Sequence, residues 1–369
     1  MRVLEVNVDD IGNGGVFSLV RSIIHNKPEG AVVDIAAIEQ FERTENVKEL
    51  ASVGCTVHYV GRNGSKFLKQ FYVFRNVKGL VRDGGYDVVH IHSDVANKLL
   101  VSAIAARIAG CKKILLHSHA TGVDGNHRFL KRIFHYACCL FLKYIGTDYL
   151  TCSDLAGRWM FPNVKPADVH MVNNGIDLEK FRISEEKRVE VRRSLGVEDK
   201  FVIGHVGRFA YQKNHEYLID IFKSVRERDA SAILLLVGEG TLMDGIKAKV
   251  AELGLIDSVI FYGVSDKVYE LFMAMDVFVL PSHFEGLPIV GVEAQAAGLP
   301  CLFADTISRN TKIAQAVDFL PIDSDSVPVW TSKIEAFKAI GRCDNTEIMR
   351  SAGFSIKDTV TNLWCLYGE

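Results

Sequence analysis

The feature that most constrains the fold is a pattern that runs through the chain twice. Short segments that are apolar almost throughout, "RVLEVNV", "AVVDIAAI", "TVHYV", "DVVHIH", "KILLHSH" and "DYLTCS", alternate with helix-length stretches over the first half. Strands with one wet face alternate apolar and polar residues, whereas strands covered on both faces of a parallel sheet read as continuous apolar runs. This pattern predicts a doubly wound α/β domain. It starts afresh with "FVIGHVG", "AILLLVG", "SVIFYG", "DVFVLPS" and "PCLFA", separated by helical candidates at Asn214 to Arg228 and Thr241 to Leu253. Two Rossmann-like domains are therefore expected, and 369 residues suit two cores better than one. The join falls within "NNGIDLEKFRISEEKRVEVRRSLGVEDK", a turn followed by a charged segment. The expected domains are 1–180 and 181–354, with a last helix over 355–369.

Composition narrows the class. Hydrophobic residues at 48% and charged residues at 24% are ordinary globular values and exclude a disordered chain. No apolar run reaches the roughly 18 residues of a membrane-crossing helix. "MRVLEVNVDD" enters a strand pattern without the apolar stretch of a secretion signal, so the cytoplasm is the expected compartment. Eight scattered cysteines without a C-x-x-C predict buried, reduced thiols. The charge is uneven. Residues up to Arg182 carry 23 Lys+Arg against 18 Asp+Glu, and the remainder carries 20 against 27.

Ligands of open α/β sheets bind beyond the carboxyl ends of the strands. The unusual residues fall there: Gly12 to Gly15, His90 and His92, His117 and His119, Arg208, and Glu239. Polar and glycine-rich strand ends on both domains predict two domains facing each other across a ligand-binding cleft. "GNGGVFSLV" suits either a phosphate or a tight strand-to-helix turn, because it lacks the spacing of a dinucleotide fingerprint. In "GRFAYQKNHEYLI", Arg208 and Lys213 put two cations where a helix begins, as a diphosphate requires; the plain alternative is a solvated surface pair. The two H-x-H pairs set imidazoles on one face of neighbouring strands. No cysteine or carboxylate cluster accompanies them, so no metal is assigned, and His119, opening a loop, is the one aimed at substrate.

"SHFEGLPIVGVEAQAAGLPC" reads as a turn followed by a helix. Glu285 lies just before the helix, and Glu293 lies two turns further along. Helix-start amides favour phosphate, and carboxylates accept hydrogen bonds from sugar hydroxyls. Diphosphate plus polyol describes a nucleotide sugar. Two satisfied structural carboxylates would give the same spacing.

Taken together, "GRFAYQKN", "VGEG", "FEGLPIVGVEAQAAGLP" and "VNNGID" resemble glycosyltransferase family 4, retaining enzymes of the GT-B fold; "YDVVHIHS" and "KILLHSHA" look most like bacterial capsule and exopolysaccharide enzymes. The resemblance spans nearly the whole chain. It implies that Arg208 and Lys213 hold the donor diphosphate, that Glu293 bonds the ribose, and that Glu285 contacts sugar hydroxyls. The backbone of Gly286, Leu287, Pro288 and Ile289 would lie near sugar and phosphate, Glu239 near the nucleoside, and His119 at the donor sugar. Gly14 and Gly15 would border phosphate and acceptor, and the last helix would pack back on the N-terminal domain. Many relatives carry an acidic residue soon after the double glycine, whereas Val16 and Phe17 follow it here.

The expected reaction is retaining transfer of a hexosyl or N-acetylhexosaminyl group from a nucleotide sugar, UDP favoured, to a saccharide acceptor, lipid-linked by resemblance. No cofactor or metal is expected, since fixed cations would stabilise the leaving diphosphate. Residues 62–82 carry six basic and no acidic residues interleaved with aromatics, and "RFLKRIFHYACCLFLKYIG" mixes cations with large apolar residues. Such helices suit an anionic membrane surface, here the inner face of the cell membrane; ordinary sheet-flanking helices are the alternative. Nucleic acid does not fit a net charge of −2 without an RNA-binding motif. A nucleotide-sugar epimerase and a catalytically silent nucleotide-sugar-binding protein remain as rivals.

Overall fold

A computed structural model describes residues 1–10, 15–62, 66–123 and 127–368, with Lys66 and Phe67 by backbone alone. The chain forms two units, Ile176–Ser355 being one; the other combines Met1–Gly175 with the C-terminal segment that holds the helix Ile356–Tyr367.

The first unit is built on seven parallel strands: β1 (Arg2–Val6), β2 (Val32–Ala37), β3 (Val57–Tyr59), β4 (Val88–Ser93), β5 (Lys113–Ser118), β6 (Asp148–Thr151) and β7 (Val169–Met171). Their order is β3-β2-β1-β4-β5-β6-β7, so the winding reverses between β1 and β4. Such a reversal leaves a crevice at the strand ends. Helices Lys66–Gly84, Ala96–Ile108 and Arg128–Leu142 cover one face through Val77, Leu99, Ala103, Cys139 and Leu142. The other face is covered by Gly15–His25 and by the last helix, whose Val360, Leu363 and Trp364 join Val3, Ile23 and Val33 in one core.

The second unit has six parallel strands: β8 (Phe201–Val206), β9 (Ala232–Val237), β10 (Val259–Gly263), β11 (Val277–Leu280), β12 (Cys301–Ala304) and β13 (Val317–Leu320). The order is β10-β9-β8-β11-β12-β13, reversing between β8 and β11. Trp330 is fully buried beside β9 and β11 residues, and its Nε1 donates to the Pro321 carbonyl at 2.7 Å.

The apolar runs correspond to every inner strand and to one edge strand of each sheet, β3 and β10. The sequence reading missed β7 and β13, because both are short edge strands and keep exposed or half-exposed positions. Expected buried thiols need one correction: Cys343 and Cys365 are exposed. Cys365 lies off the stripe by which Leu363, Trp364 and Tyr367 seat the last helix. No described helix is long and apolar enough to cross a membrane.

Candidate nucleotide-sugar site

In the second unit β8 gives way to Gly207 and Arg208, and the short turn Tyr211–Lys213 leads to the helix His215–Arg228. Asn214 makes the joint with a left-handed φ of 55°. Close packing brings the neighbouring strand ends together. A Cβ on Gly238, whose φ is +133°, would lie 2.3 Å from the Gly207 carbonyl oxygen, so only glycine lets the "VGEG" turn approach β8. On Gly207 itself, a Cβ would meet Cδ and Cε of Lys213 at 3.0 Å, because the lysine stem lies across that glycine.

That stem delivers the Lys213 amine to Glu285, with Nζ donating to Oε1 at 2.6 Å. Ser282 Oγ donates to the same oxygen at 3.1 Å, and Gln212 Nε2 donates to Oε2 at 3.1 Å. Gln212 also donates to the Phe284 carbonyl, the His283 amide donates to the Gln212 carbonyl at 2.8 Å, and the Tyr211 ring stacks on His283. Two loops far apart in sequence are thereby joined around one buried carboxylate. Arg208, two residues past the end of β8, is exposed.

After Glu285 come Gly286, Leu287 and Pro288, all buried, and then the helix Ile289–Ala296. Its first amides have no partner within the helix, as at any helix start. Glu293 is half-buried in its second turn; burial pushes that carboxyl up to about 7, against a smaller opposing pull from Lys180. Gln295 anchors the helix, donating to the Gly291 and Thr311 carbonyls and accepting from the amides of Ile313 and Ala314. Glu239 is exposed at the end of β9, where its carbonyl accepts from the Phe209 amide. Arg208, Lys213, Glu239, Glu285 and residues 286–289 thus gather at the carboxyl ends of β8, β9 and β11, with Glu293 on the helix that follows.

In the first unit Gly14 lies outside the described residues, and Gly15 is the exposed first residue of its helix. The four histidines form one hydrogen-bonded network with two residues that the sequence reading passed over, Glu5 and Tyr367. His92 joins Glu5 at 2.6 Å and His119 at 2.8 Å; His90 joins Tyr367 at 2.7 Å and His117 at 3.1 Å; the Tyr367 hydroxyl donates to Glu5 at 2.9 Å. One ring nitrogen from each of His90, His92 and His117 lies within 4.8 Å of the others, a grouping with the size of a metal site. Hydrogen bonds already engage both nitrogens of His90 and His92; His117 Nε2 is buried without a partner among the described residues. Glu5 was legible as the one acidic residue in the apolar run "RVLEVNV". Gln212 and Ser282 gave no signal, since polar residues near a turn are commonplace.

The family model described as glycosyl transferases group 1 matches residues 187–320, and that of Glycosyltransferase Family 4 matches residues 30–180. Bacillus subtilis EpsF, a glycosyltransferase by assignment, is 30% identical over 373 residues, covering 99% of this chain and 96% of its own. An Escherichia coli galactosyltransferase that acts from UDP-Gal on GlcNAc-diphosphoundecaprenol is 28% identical over 67% of this chain and 65% of its own. Among solved structures, Anabaena HepE in complex with UDP-glucose superposes with a TM-score of 0.78 at 18% identity, over 99% of this chain and 100% of its own.

Proposed function

Because the chain belongs to the group 1 and family 4 glycosyltransferases and shares their GT-B fold, we propose that it is a retaining enzyme that transfers a hexosyl or N-acetylhexosaminyl group from a UDP-sugar. The acceptor in this reading is a lipid-linked saccharide in the assembly of a cell-surface polysaccharide, of the exopolysaccharide or capsule kind. The observation that carries the donor assignment is the Lys213–Glu285 pair, held at 2.6 Å just past the end of β8, the strand that Arg208 also follows. A cation fixed by a buried carboxylate is oriented before the substrate arrives and needs no reorganisation during reaction. The UDP-glucose carried by HepE supports the choice of nucleotide.

In this mechanism the bond from the anomeric carbon to the diphosphate oxygen breaks while the acceptor oxygen bonds to that carbon from the same face. The acceptor proton passes to the departing phosphate oxygen. Arg208 and Lys213 stabilise the growing negative charge, assisted by the amides of Gly286, Leu287 and Ile289. Pro288 shapes the turn that presents them. Glu285 holds Lys213 and contacts sugar hydroxyls, Glu293 accepts from the ribose, Glu239 lies near the nucleoside, and His119 meets the sugar. Gly14 and Gly15 border phosphate and acceptor. The reaction needs no metal, so chelation with EDTA leaves its rate unchanged.

For the acceptor side, the supporting observation is the helical layer Lys66–Gly84, Ala96–Ile108 and Arg128–Leu142, packed side by side. These helices carry ten Lys and Arg against one acidic residue, Asp83. Along the third, Phe129, Leu130, Ile133, Phe134, Leu140 and Phe141 are each more than half exposed. A single apolar residue at a surface is unremarkable, but a contiguous set with a basic surround suits an anionic bilayer on the cytoplasmic side. At the layer's edge an open cavity of about 700 Å³ is lined by His58, Tyr59, Phe71, Arg75, Lys78 and Arg82, suited to an anionic headgroup.

A panel of UDP-, GDP- and ADP-sugars without acceptor tests the reading. A UDP-sugar should raise the melting temperature with concentration and be hydrolysed slowly. Interconversion of the free donor without transfer to any acceptor would favour an epimerase. No response to any nucleotide sugar would refute the donor assignment.

A further inference from the structure

β1, β4 and β5 are neighbours, with Glu5 in register with His90 and His92 with His117. Strand pleating therefore turns Glu5, His90, His92, His117 and His119 to one face, the face covered by the last helix and Tyr367. Their hydrogen bonds assign protons along one branch without ambiguity. Burial alone would raise the Glu5 carboxyl, but the electrostatic pull and hydrogen bonds of the His90 and His92 rings outweigh it and hold the group well below the usual carboxylate range. An ionised carboxylate only accepts, so the proton between Glu5 Oε2 and His92 Nε2 belongs to the imidazole. Burial, reinforced by His90, lowers His92 to about 4, which leaves it neutral at pH 7 with a lone pair on Nδ1. His119 Nε2 lies 2.8 Å from that lone pair and must donate to it. Burial and the neighbouring His92 and His90 also hold His119 neutral, and its Nδ1 bonds to no described residue.

We propose that Glu5 and His92 are positioning residues that fix His119 as the Nε2–H tautomer, so that His119 offers Nδ1 as a hydrogen-bond acceptor to a hydroxyl of the donor sugar. The sugar contact rests on the function proposed above; the tautomer does not. Tyr367 stiffens the arrangement. Its hydroxyl donates to Glu5 Oε1, leaving Oε2 to His92 and, at 3.1 Å, to His90. The carboxylate that orients His119 is thereby anchored by the last helix as well as by β1.

Glu5→Gln makes the proposal sharp. The Tyr367 hydroxyl keeps an oxygen at the Oε1 position, so the new amide nitrogen faces His92 and donates to its Nε2, while His90 Nδ1 gives up its 3.1 Å contact and keeps the Tyr367 oxygen, at 2.7 Å, as its acceptor. His92 must then carry its proton on Nδ1 and donate it to His119 Nε2, which drives the His119 proton onto Nδ1. The donor-acceptor polarity of the whole branch inverts with no change in shape.

The experiment uses the full chain labelled with ¹⁵N-histidine, and reads tautomers from two-bond ¹⁵N–¹H correlations at pH 7.5. Wild type should show His92 and His119 as Nε2–H, and Glu5→Gln should show both as Nδ1–H. Turnover of the responsive UDP-sugar should fall about tenfold, the worth of one hydrogen bond, while UDP alone binds as before because it lacks the sugar. A wild-type His119 protonated at Nδ1 would overturn the proposal, and that result does not require the variant to fold. So would Glu5→Gln with an unchanged tautomer and rate. If the tautomers are as stated but His119→Ala turns over the donor at the wild-type rate, the sugar contact is refuted, whereas a failure of UDP itself to bind refutes the donor site.

Discussion

Replacing Lys213 with Met keeps the bulk of its stem over Gly207 and removes only the charge that meets Glu285. The carboxylate would then retain Ser282 and Gln212 as neutral donors in a site where Glu285 is 7% exposed. Stranding a buried charge costs about 3–5 kcal/mol, and the lower end applies because the Lys213 side chain keeps 14% exposure. About 3 kcal/mol corresponds to a fall of roughly 6–12 °C in the melting of a unit this size. The double change Lys213→Met/Glu285→Gln removes both charges and should recover most of that loss. Turnover should not recover: losing one fixed donor at the leaving group costs about 10²–10³-fold, and both variants lack it. Urea unfolding gives the stability of each protein, and nucleotide diphosphate release gives turnover. If Lys213→Met unfolds at the wild-type midpoint, the pair does not hold the site together. If the double variant turns over like wild type, Lys213 does not act on the diphosphate.

Burial lowers His205 to about 3 and His215 to about 2, so both stay neutral while the unfolded chain takes up protons near pH 6.5. Their contribution is present above pH 6.5 and is lost as pH falls, about 2 kcal/mol each between pH 7 and 5. Glu293, raised to about 7, acts in the opposite direction, its ionisation costing stability as pH rises from 4.5 through 7. His215→Phe should flatten the acid limb of the second unit, and an equal urea midpoint at pH 7 and 5 in all these proteins would contradict the assignment. UDP-glucose affinity should rise between pH 6 and 8 as Glu293 ionises to accept ribose hydroxyls; titration calorimetry should show that dependence vanish in Glu293→Gln. Leu363, fully buried in the first unit, should cost about 2–5 kcal/mol as Ala, with that unit's unfolding transition shifted and the other's left in place. Phe129→Ser/Phe134→Ser should weaken co-sedimentation with anionic vesicles without changing melting, since both rings already face solvent.

Much of the fold is legible because buried parallel strands leave an unambiguous mark: "AILLLV" has six apolar residues in succession, and all six are buried in the sheet. β13, "VDFL", has a polar interruption and partial exposure, so it resembles a loop as much as a strand. At the site, Arg208, Lys213, Glu285 and Glu293 stand out because charge at a strand end or helix start is conspicuous against apolar surroundings. Their mutual bonding was hidden. The Lys213–Glu285 contact spans 72 residues and follows from the order β8-β11, which spacing cannot give. Glu5 and Tyr367 lie 362 positions apart, and only the return of the last helix to the first sheet brings them together. Both H-x-H pairs were visible, but their role as a proton-ordered network depends on strand register.

The most direct test of the account is the hydrolysis of a responsive UDP-sugar by wild type and Arg208→Ala, with the first-formed anomer of the released sugar read by proton NMR. The account predicts that wild type releases the sugar with the configuration of the donor, and that Arg208→Ala is slower by about 10²–10³-fold. Release of the opposite anomer, or hydrolysis by Arg208→Ala at the wild-type rate, would contradict it.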